Sequence, residues 1–172
     1  MKSKQLIVSN DNQTVDDLRQ HMDAMFSFSS GVPYCNGHLL QVVQASKSLI
    51  GMDLDHPSRN LLKWLEYYIH KFQPHHTMPK DFNDKEKPEV LSVRHLEELI
   101  DNKKEEESRQ YLMHLLRVAN PSYIMEFLFQ ISFKHSISAT LFCWSAYKSI
   151  QFMKERMEIL LISLDCLYDC QK

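Results

Sequence analysis

The chain has 172 residues, 44% of them hydrophobic and 24% charged, which is an ordinary length and composition for one globular domain. Its formal net charge of -2 gives no overall electrostatic reason to expect nucleic acid or an anionic membrane as partner. Three glycines, none of them in GxGxxG or GxxxxGK spacing, exclude the common phosphate-binding loops and disfavour a strand-rich fold.

The chain begins with a polar segment that shows no helical pattern. Its only apolar run is Leu6, Ile7 and Val8, which is far shorter than the core of a signal peptide. Further along, Glu126 and Lys134 interrupt the most apolar region, so no stretch reaches the roughly 20 residues that a transmembrane helix needs. We therefore expect a flexible arm over residues 1–12, a single helical domain over 13–172, and a soluble, intracellular, cytoplasmic protein.

Helical patterns follow one another through the first half. Thr14 and Asp17 form a variant capping box at the start of the first helix. A second helix is predicted from about Asn36 to Ile50, with Gly51 as a left-handed cap. Asp55 and Pro57 are expected to open the third helix, which Pro74 stops.

A long polar loop separates the two halves. Residues 74–90 contain three prolines and little to bury, so this loop is predicted to be a mobile or functional lid. Ser92 then caps a fourth helix that ends near Asn102.

Three consecutive helices are predicted between Glu105 and Phe152. Asn120 and Pro121 mark the start of the middle one, and Ser136 or Ser138 caps the next. The middle helix, from Tyr123 to Phe133, is apolar around nearly its whole circumference, so we expect it to be central and covered on several sides. A last helix carries the apolar residues Ile159, Leu160, Leu164, Leu167 and Tyr168.

These elements predict an all-α fold, a single-domain bundle of about seven to eight helices. Because the connections in the second half are short, its helices are expected to form antiparallel helical hairpins.

Nine histidines make a metal site the first chemical hypothesis, although neither Glu-x-x-His nor HExxH occurs. His38 and His95 align with apolar residues of their helices and are predicted to be at least partly buried, whereas His114 is expected on a solvated face. Each of the first two is interpreted either as a neutral core histidine or as a metal ligand.

Glu126 has two interpretations. It shares a stripe with Gln130, and the favoured interpretation is that this stripe is the one solvated seam of its helix. The alternative joins Glu126 to His38 and His95 as a two-histidine, one-carboxylate set for a divalent transition metal, Fe or Zn.

Cysteines and aromatic residues favour packing. Cys166 and Cys170 lie one helical turn apart, a poor geometry for a disulfide, so buried thiols are the preferred interpretation. Likewise, nine Phe and nine Met are most simply core residues, although they also suit a ligand pocket or a partner groove.

The functional prediction is a helical binding protein that takes a protein partner or a small apolar ligand in a groove between hairpins, with no nucleic acid expected. A metal-dependent helical enzyme, possibly using non-haem iron held by buried His and Glu residues, is the alternative. The sequence therefore leaves open whether the chain is an enzyme.

Overall fold

The computed structural model describes residues 14–34, 38–74, 91–153 and 157–170. These residues form eight α-helices and one short 3-10 helix, and none of them lies in a strand. The predicted all-α class is confirmed. The predicted arm and most of the predicted loop at 74–90 lie outside the described residues.

The helices are numbered in chain order. Their bounds are α1 Val15–Ser30, α2 His38–Ile50, α3 Arg59–Ile69, α4 Val93–Asp101, α5 Glu105–Leu116, α6 Pro121–Ser132, α7 Ile137–Ser149 and α8 Met157–Asp169. The 3-10 helix Ile150–Phe152 continues from the end of α7. In the described part of the chain, no helix has the length and hydrophobicity required to cross a bilayer.

Helix starts follow the capping residues closely. The predicted box between Thr14 and Asp17 is present, with the Asp17 amide donating to the Thr14 hydroxyl and the Thr14 amide donating to the Asp17 carboxylate. Asn120 and Ser136 cap α6 and α7 as expected. The third helix begins later than predicted, because its cap is Ser58, whose hydroxyl accepts from the Leu61 amide. Lys104, before α5, makes no side-chain cap hydrogen bond.

The predicted left-handed cap at Gly51 is wrong, because no described glycine has a positive φ. Instead, the chain after Gly51 continues in tight turns, with the Gly51 amide donating to the Lys47 carbonyl at 2.9 Å.

The most completely buried helix is α8, so the prediction that the helix around Phe127 is the central one needs correction, although that helix is covered on several sides as predicted. Nine residues of α8 are buried: Ile159, Leu160, Leu161, Ile162, Ser163, Leu164, Cys166, Leu167 and Tyr168. On α6, by contrast, Tyr123 and Phe133 are exposed. Both helices have several neighbours, since α8 packs against α1, α5, α6 and α7, and α6 packs against α4, α5, α7 and α8. The difference is that α6 keeps one exposed stripe, which includes Glu126 and Gln130.

Short connections join the helices of the second half, as predicted. Residues 133–136 connect α6 to α7, and this pair packs along its length as a hairpin. On its other side α7 packs against α2, where the Ser149 hydroxyl lies 3.3 Å from Gln44 Oε1. The hairpin is therefore held in place by both α2 and α8.

Candidate partner-binding surface

The structure describes the side chains of two of the three residues that were predicted to bind a metal. His38 is the first residue of α2, but its side chain lies outside the described part of the structure. His95 on α4 is exposed, so its predicted burial is wrong. Its Nδ1 lies 3.4 Å from Glu98 Oε2, and its ring meets Tyr111 edge-on at 4.8 Å. The inner face of α4 is formed by Leu96, Leu99 and Ile100, and His95 lies beside that face.

Glu126 is exposed, as is Gln130, so the favoured interpretation of a solvated seam is confirmed. The alternative function was predicted to use buried His and Glu residues, and His95 and Glu126 do not have that burial. Among the described residues, no group of three or more His, Cys, Asp or Glu side chains is arranged to hold a metal ion. Because the His38 side chain is not described, the set of His38, His95 and Glu126 stays a prediction.

The environments of two other histidines were not correctly predicted from the sequence. His114 was expected on a wet face but is buried, because α5 packs against α4, α6 and α8 rather than against one neighbour. His21 on α1, which no sequence pattern indicated, is largely buried, and its Nε2 lies 3.0 Å from Glu66 Oε1 on α3.

The prediction of buried thiols is confirmed for two cysteines, whereas Cys170 is half-buried and Cys35 lies outside the described residues. Cys143 and Cys166 are buried, and the Tyr34 hydroxyl lies 3.3 Å from Cys170 Sγ. Hydrogen bonding with Cys143 and burial together raise the pKa of the Cys166 thiol. A neutral thiol is a weak nucleophile, so the raised pKa of Cys166 favours a packing role for this thiol over a catalytic one.

The most informative surface lies on α7, which has apolar residues on two opposite faces. One face is buried in the bundle and includes Ala139, Phe142, Cys143 and Ala146. The opposite face consists of Ile137, Leu141, Trp144 and Lys148, which we call the α7 stripe. Ile137 is 80% exposed, Leu141 54% and Trp144 43%. An apolar row of this kind on an exposed helix face marks an interaction site more often than scattered single residues do.

Aromatic rings widen the α7 stripe toward α6. The Phe129 ring lies 4.9 Å from that of Phe133, 5.3 Å from that of Trp144 and 6.0 Å from that of Tyr147. Phe129 and Tyr147 are half-buried and Phe133 is exposed. The rings fix one another's positions, so the surface is preformed and a partner would lose little side-chain entropy in binding it.

One end of the α7 stripe is positively charged. The Lys148 ammonium lies 4.8 Å from the centre of the Trp144 ring. The Lys47 ammonium on α2 lies 3.6 Å from the centre of the Phe152 ring, just beyond the end of α7, and burial together with the charge of Lys148 lowers the pKa of Lys47. At the other end Lys134 pairs with Glu97. The end near Lys148 therefore favours a negatively charged group on whatever binds there.

Phenylalanines such as Phe129 and Phe133 were predicted mainly as core residues. A signal was present, because Ile137, Leu141 and Trp144 follow a helical spacing that is separate from that of Ala139, Phe142 and Cys143. Two apolar stripes on one helix indicate that two of its sides are packed against other groups. The sequence does not say which stripe the rest of the chain covers.

Comparisons with models of known protein families, with curated proteins and with solved structures found no match to this chain.

Proposed function

We propose that this protein is an interaction module that binds a helix of a protein partner along the α7 stripe. The observation that carries the proposal is the exposed row of Ile137, Leu141 and Trp144 opposite the buried face of the same helix. The predicted groove between two hairpins stays a prediction. The surface available among the described residues lies on one hairpin, α6 and α7.

The spacing of the α7 stripe supports a helical occupant. Positions 137, 141, 144 and 148 are separated by four, three and four residues, the repeat with which one helix packs against another in a coiled coil. A partner helix with apolar residues in the same repeat would bury this row. The ammonium groups of Lys148 and Lys47 favour an acidic residue near one end of that helix.

Site-specific photo-crosslinking tests the proposal. A photoreactive phenylalanine analogue placed at position 141 should form an adduct with one protein in extracts of the source cells. The same analogue at position 15, an exposed valine at the start of α1, is the matched control. The crosslinked segment of the partner should be an apolar-faced helix with an acidic residue near Lys148.

The purified partner then provides the decisive measurement. Leu141→Glu should weaken its binding at least about tenfold, because a central apolar anchor is replaced by a charge. Val15→Glu should leave the Kd unchanged. Equal binding by both variants, or adducts at both positions, would overturn the proposal. A dimer in sedimentation velocity that Leu141→Glu dissociates would instead identify a second copy of this chain as the occupant.

A further inference from the structure

A second exposed face, on α3, has a different chemistry from the α7 stripe. The inner side of α3 is formed by Leu62, Leu65 and Ile69, which are buried. With about 100° between successive residues of an α-helix, Lys63, Trp64 and Tyr67 lie together on the opposite side. Lys71, in the turn after the helix, joins them because its ammonium lies over the Tyr67 ring. We call these four residues the α3 face. Trp64 is 47% exposed and Tyr67 66%, so two large aromatic side chains and two lysines point away from the bundle.

The rings on this side of α3 cover one another. Trp64 stacks on Tyr68 at 5.2 Å with an angle of 14° between the ring planes, and Tyr68 meets Phe72 at 5.2 Å. The Lys71 ammonium lies 4.9 Å from the centre of the Tyr67 ring and 5.6 Å from that of Tyr68. One face of the Trp64 ring and one face of the Tyr67 ring are therefore covered by other groups of the protein.

The charge of this face is positive although the whole chain is weakly negative. Glu66 is the only carboxylate within Arg59–Ile69, and it is directed toward His21 on α1, 3.0 Å away. The acidic residues Asp53 and Asp55 precede the helix, and the Asp53 carboxylate accepts a hydrogen bond from the His56 amide. Lys63 and Lys71 thus dominate the outer side of α3.

Exposed aliphatic residues lie at the end of α2 and in the connection that leads into α3. Leu49 is 58% exposed, Met52 80% and Leu54 47%. Each is too exposed to contribute much to the core. They add an apolar component next to the start of a helix that is already aromatic and basic on its outer side.

We propose that the α3 face, together with the connection from Leu49 to Leu54, binds the surface of an anionic membrane. Trp and Tyr prefer the headgroup level of a bilayer, where their rings meet lipid chains and their polar atoms meet water. Lys63 and Lys71 are placed to meet lipid phosphates, and basic residues strengthen attachment to anionic leaflets. The exposed aliphatic side chains enter the boundary between headgroups and acyl chains.

A single-stranded nucleic acid is the competing occupant for a basic aromatic face. Binding of that kind depends on bases stacking on open aromatic faces. On α3 the Tyr68 ring is flanked by Trp64 and Phe72, and Lys71 lies over Tyr67. Stacking on bases makes no use of the exposed aliphatic side chains of Met52 and Leu54, whereas the boundary between headgroups and acyl chains does. The observations therefore favour the membrane.

The chain contains two tryptophans, one on each proposed surface, and this makes the test specific. In a Trp144→Phe variant, Trp64 is the single tryptophan reporter. Vesicles of phosphatidylcholine mixed with phosphatidylserine should shift its emission to shorter wavelength, and brominated lipid should quench it. In a Trp64→Phe variant, the remaining Trp144 should show neither effect. Quenching of Trp144 alone would overturn the assignment to α3.

Charge reversal supplies the second arm of the test. In cosedimentation with the same vesicles, the double variant Lys63→Glu, Lys71→Glu should bind at least about tenfold more weakly than the unmodified chain. A matched double variant, Arg94→Glu with Lys103→Glu, has the same change in net charge away from α3 and from the α7 stripe, and it should bind nearly as well. Added salt should weaken binding, and vesicles of phosphatidylcholine alone should bind poorly.

Three further results would overturn the proposal. The first is no binding to anionic vesicles, and the second is an equal loss in both double variants. The third is binding of a single-stranded oligonucleotide that depends on Lys63 and Lys71 while vesicles are ignored, which would assign the face to nucleic acid. None of these outcomes affects the α7 stripe, so the two proposals succeed or fail separately.

Discussion

Arg109 lies between carboxylates of two different helices. Its Nη2 atom is 3.1 Å from Glu105 Oε1 on its own helix and 2.5 Å from Asp165 Oδ1 on α8. Burial raises the pKa of Asp165 to about 6, and the guanidinium of Arg109 only partly offsets that effect. The ionised carboxylate is therefore costly in the folded protein, even with a cation beside it.

The pH dependence of stability should reveal this cost. Asp165 has a higher pKa folded than unfolded, so the folded state binds its proton more tightly. The contribution of Asp165 to the free energy of unfolding should fall as pH rises from about 4 to about 6, by about 2–3 kcal/mol, and stay constant above that. Urea unfolding of the wild type and Asp165→Asn across this range measures the difference between them.

The variant should gain stability relative to the wild type as pH rises through this window. Asp165→Ser, a second neutral replacement, controls for new contacts made by the asparagine amide. A difference that is flat, or that changes in favour of the wild type, would show that Asp165 is not destabilised by burial.

At the scale of a helix, the end of α4 is unusual because a lysine adopts a left-handed conformation. Lys103 has φ 58, and it is the only described residue other than glycine with a positive φ. Its amide donates to the Ile100 carbonyl, and the Lys104 amide donates to the Leu99 carbonyl, both at 3.0 Å. These two hydrogen bonds form a Schellman motif, in which glycine is the preferred residue at this position.

Replacing this lysine should stabilise the protein. Lys103→Gly removes the steric cost of a left-handed side chain, and this gain exceeds the added entropy of the unfolded glycine. We expect the free energy of unfolding to rise by about 0.5–1 kcal/mol in urea denaturation. Lys103→Ala is the matched control, because it removes the side chain but keeps the Cβ atom. Equal stabilisation by alanine would attribute the gain to the lysine charge instead of the backbone.

For the whole molecule, the position of α8 decides which apolar residues matter for stability. Leu164 on α8 is fully buried, whereas Leu141 on the α7 stripe is more than half exposed. Both are leucines within α-helices, so the same substitution compares the centre of the bundle with its surface.

Leu164→Ala should lower the free energy of unfolding by about 2–5 kcal/mol, because it leaves a cavity among packed helices. Leu141→Ala should cost less than about 1 kcal/mol, since water already reaches that side chain. Thermal and urea unfolding of the purified chain measure both values. Similar losses in the two variants would mean that the α7 stripe is covered in the isolated protein, and this would also weaken the proposed function.

Local signals in the sequence determined where most helices begin. Thr14, Ser92, Asn120 and Ser136 were each predicted as caps and each accepts a hydrogen bond from a backbone amide at the start of its helix. A cap depends only on residues within about one turn, so sequence alone is sufficient to find it. The all-α class follows for the same reason, because helical periodicity is also a local property.

Only the tertiary structure decided which side chains are buried. His95 and His114 reversed their predicted environments, and α8 took the central place that had been predicted for α6. Burial depends on which helices pack against a given face, and those helices are distant in the sequence. For the same reason, the sequence of α7 determined that it has two apolar stripes, and only the packing of α2, α6 and α8 against one of them left Ile137, Leu141 and Trp144 open to a partner.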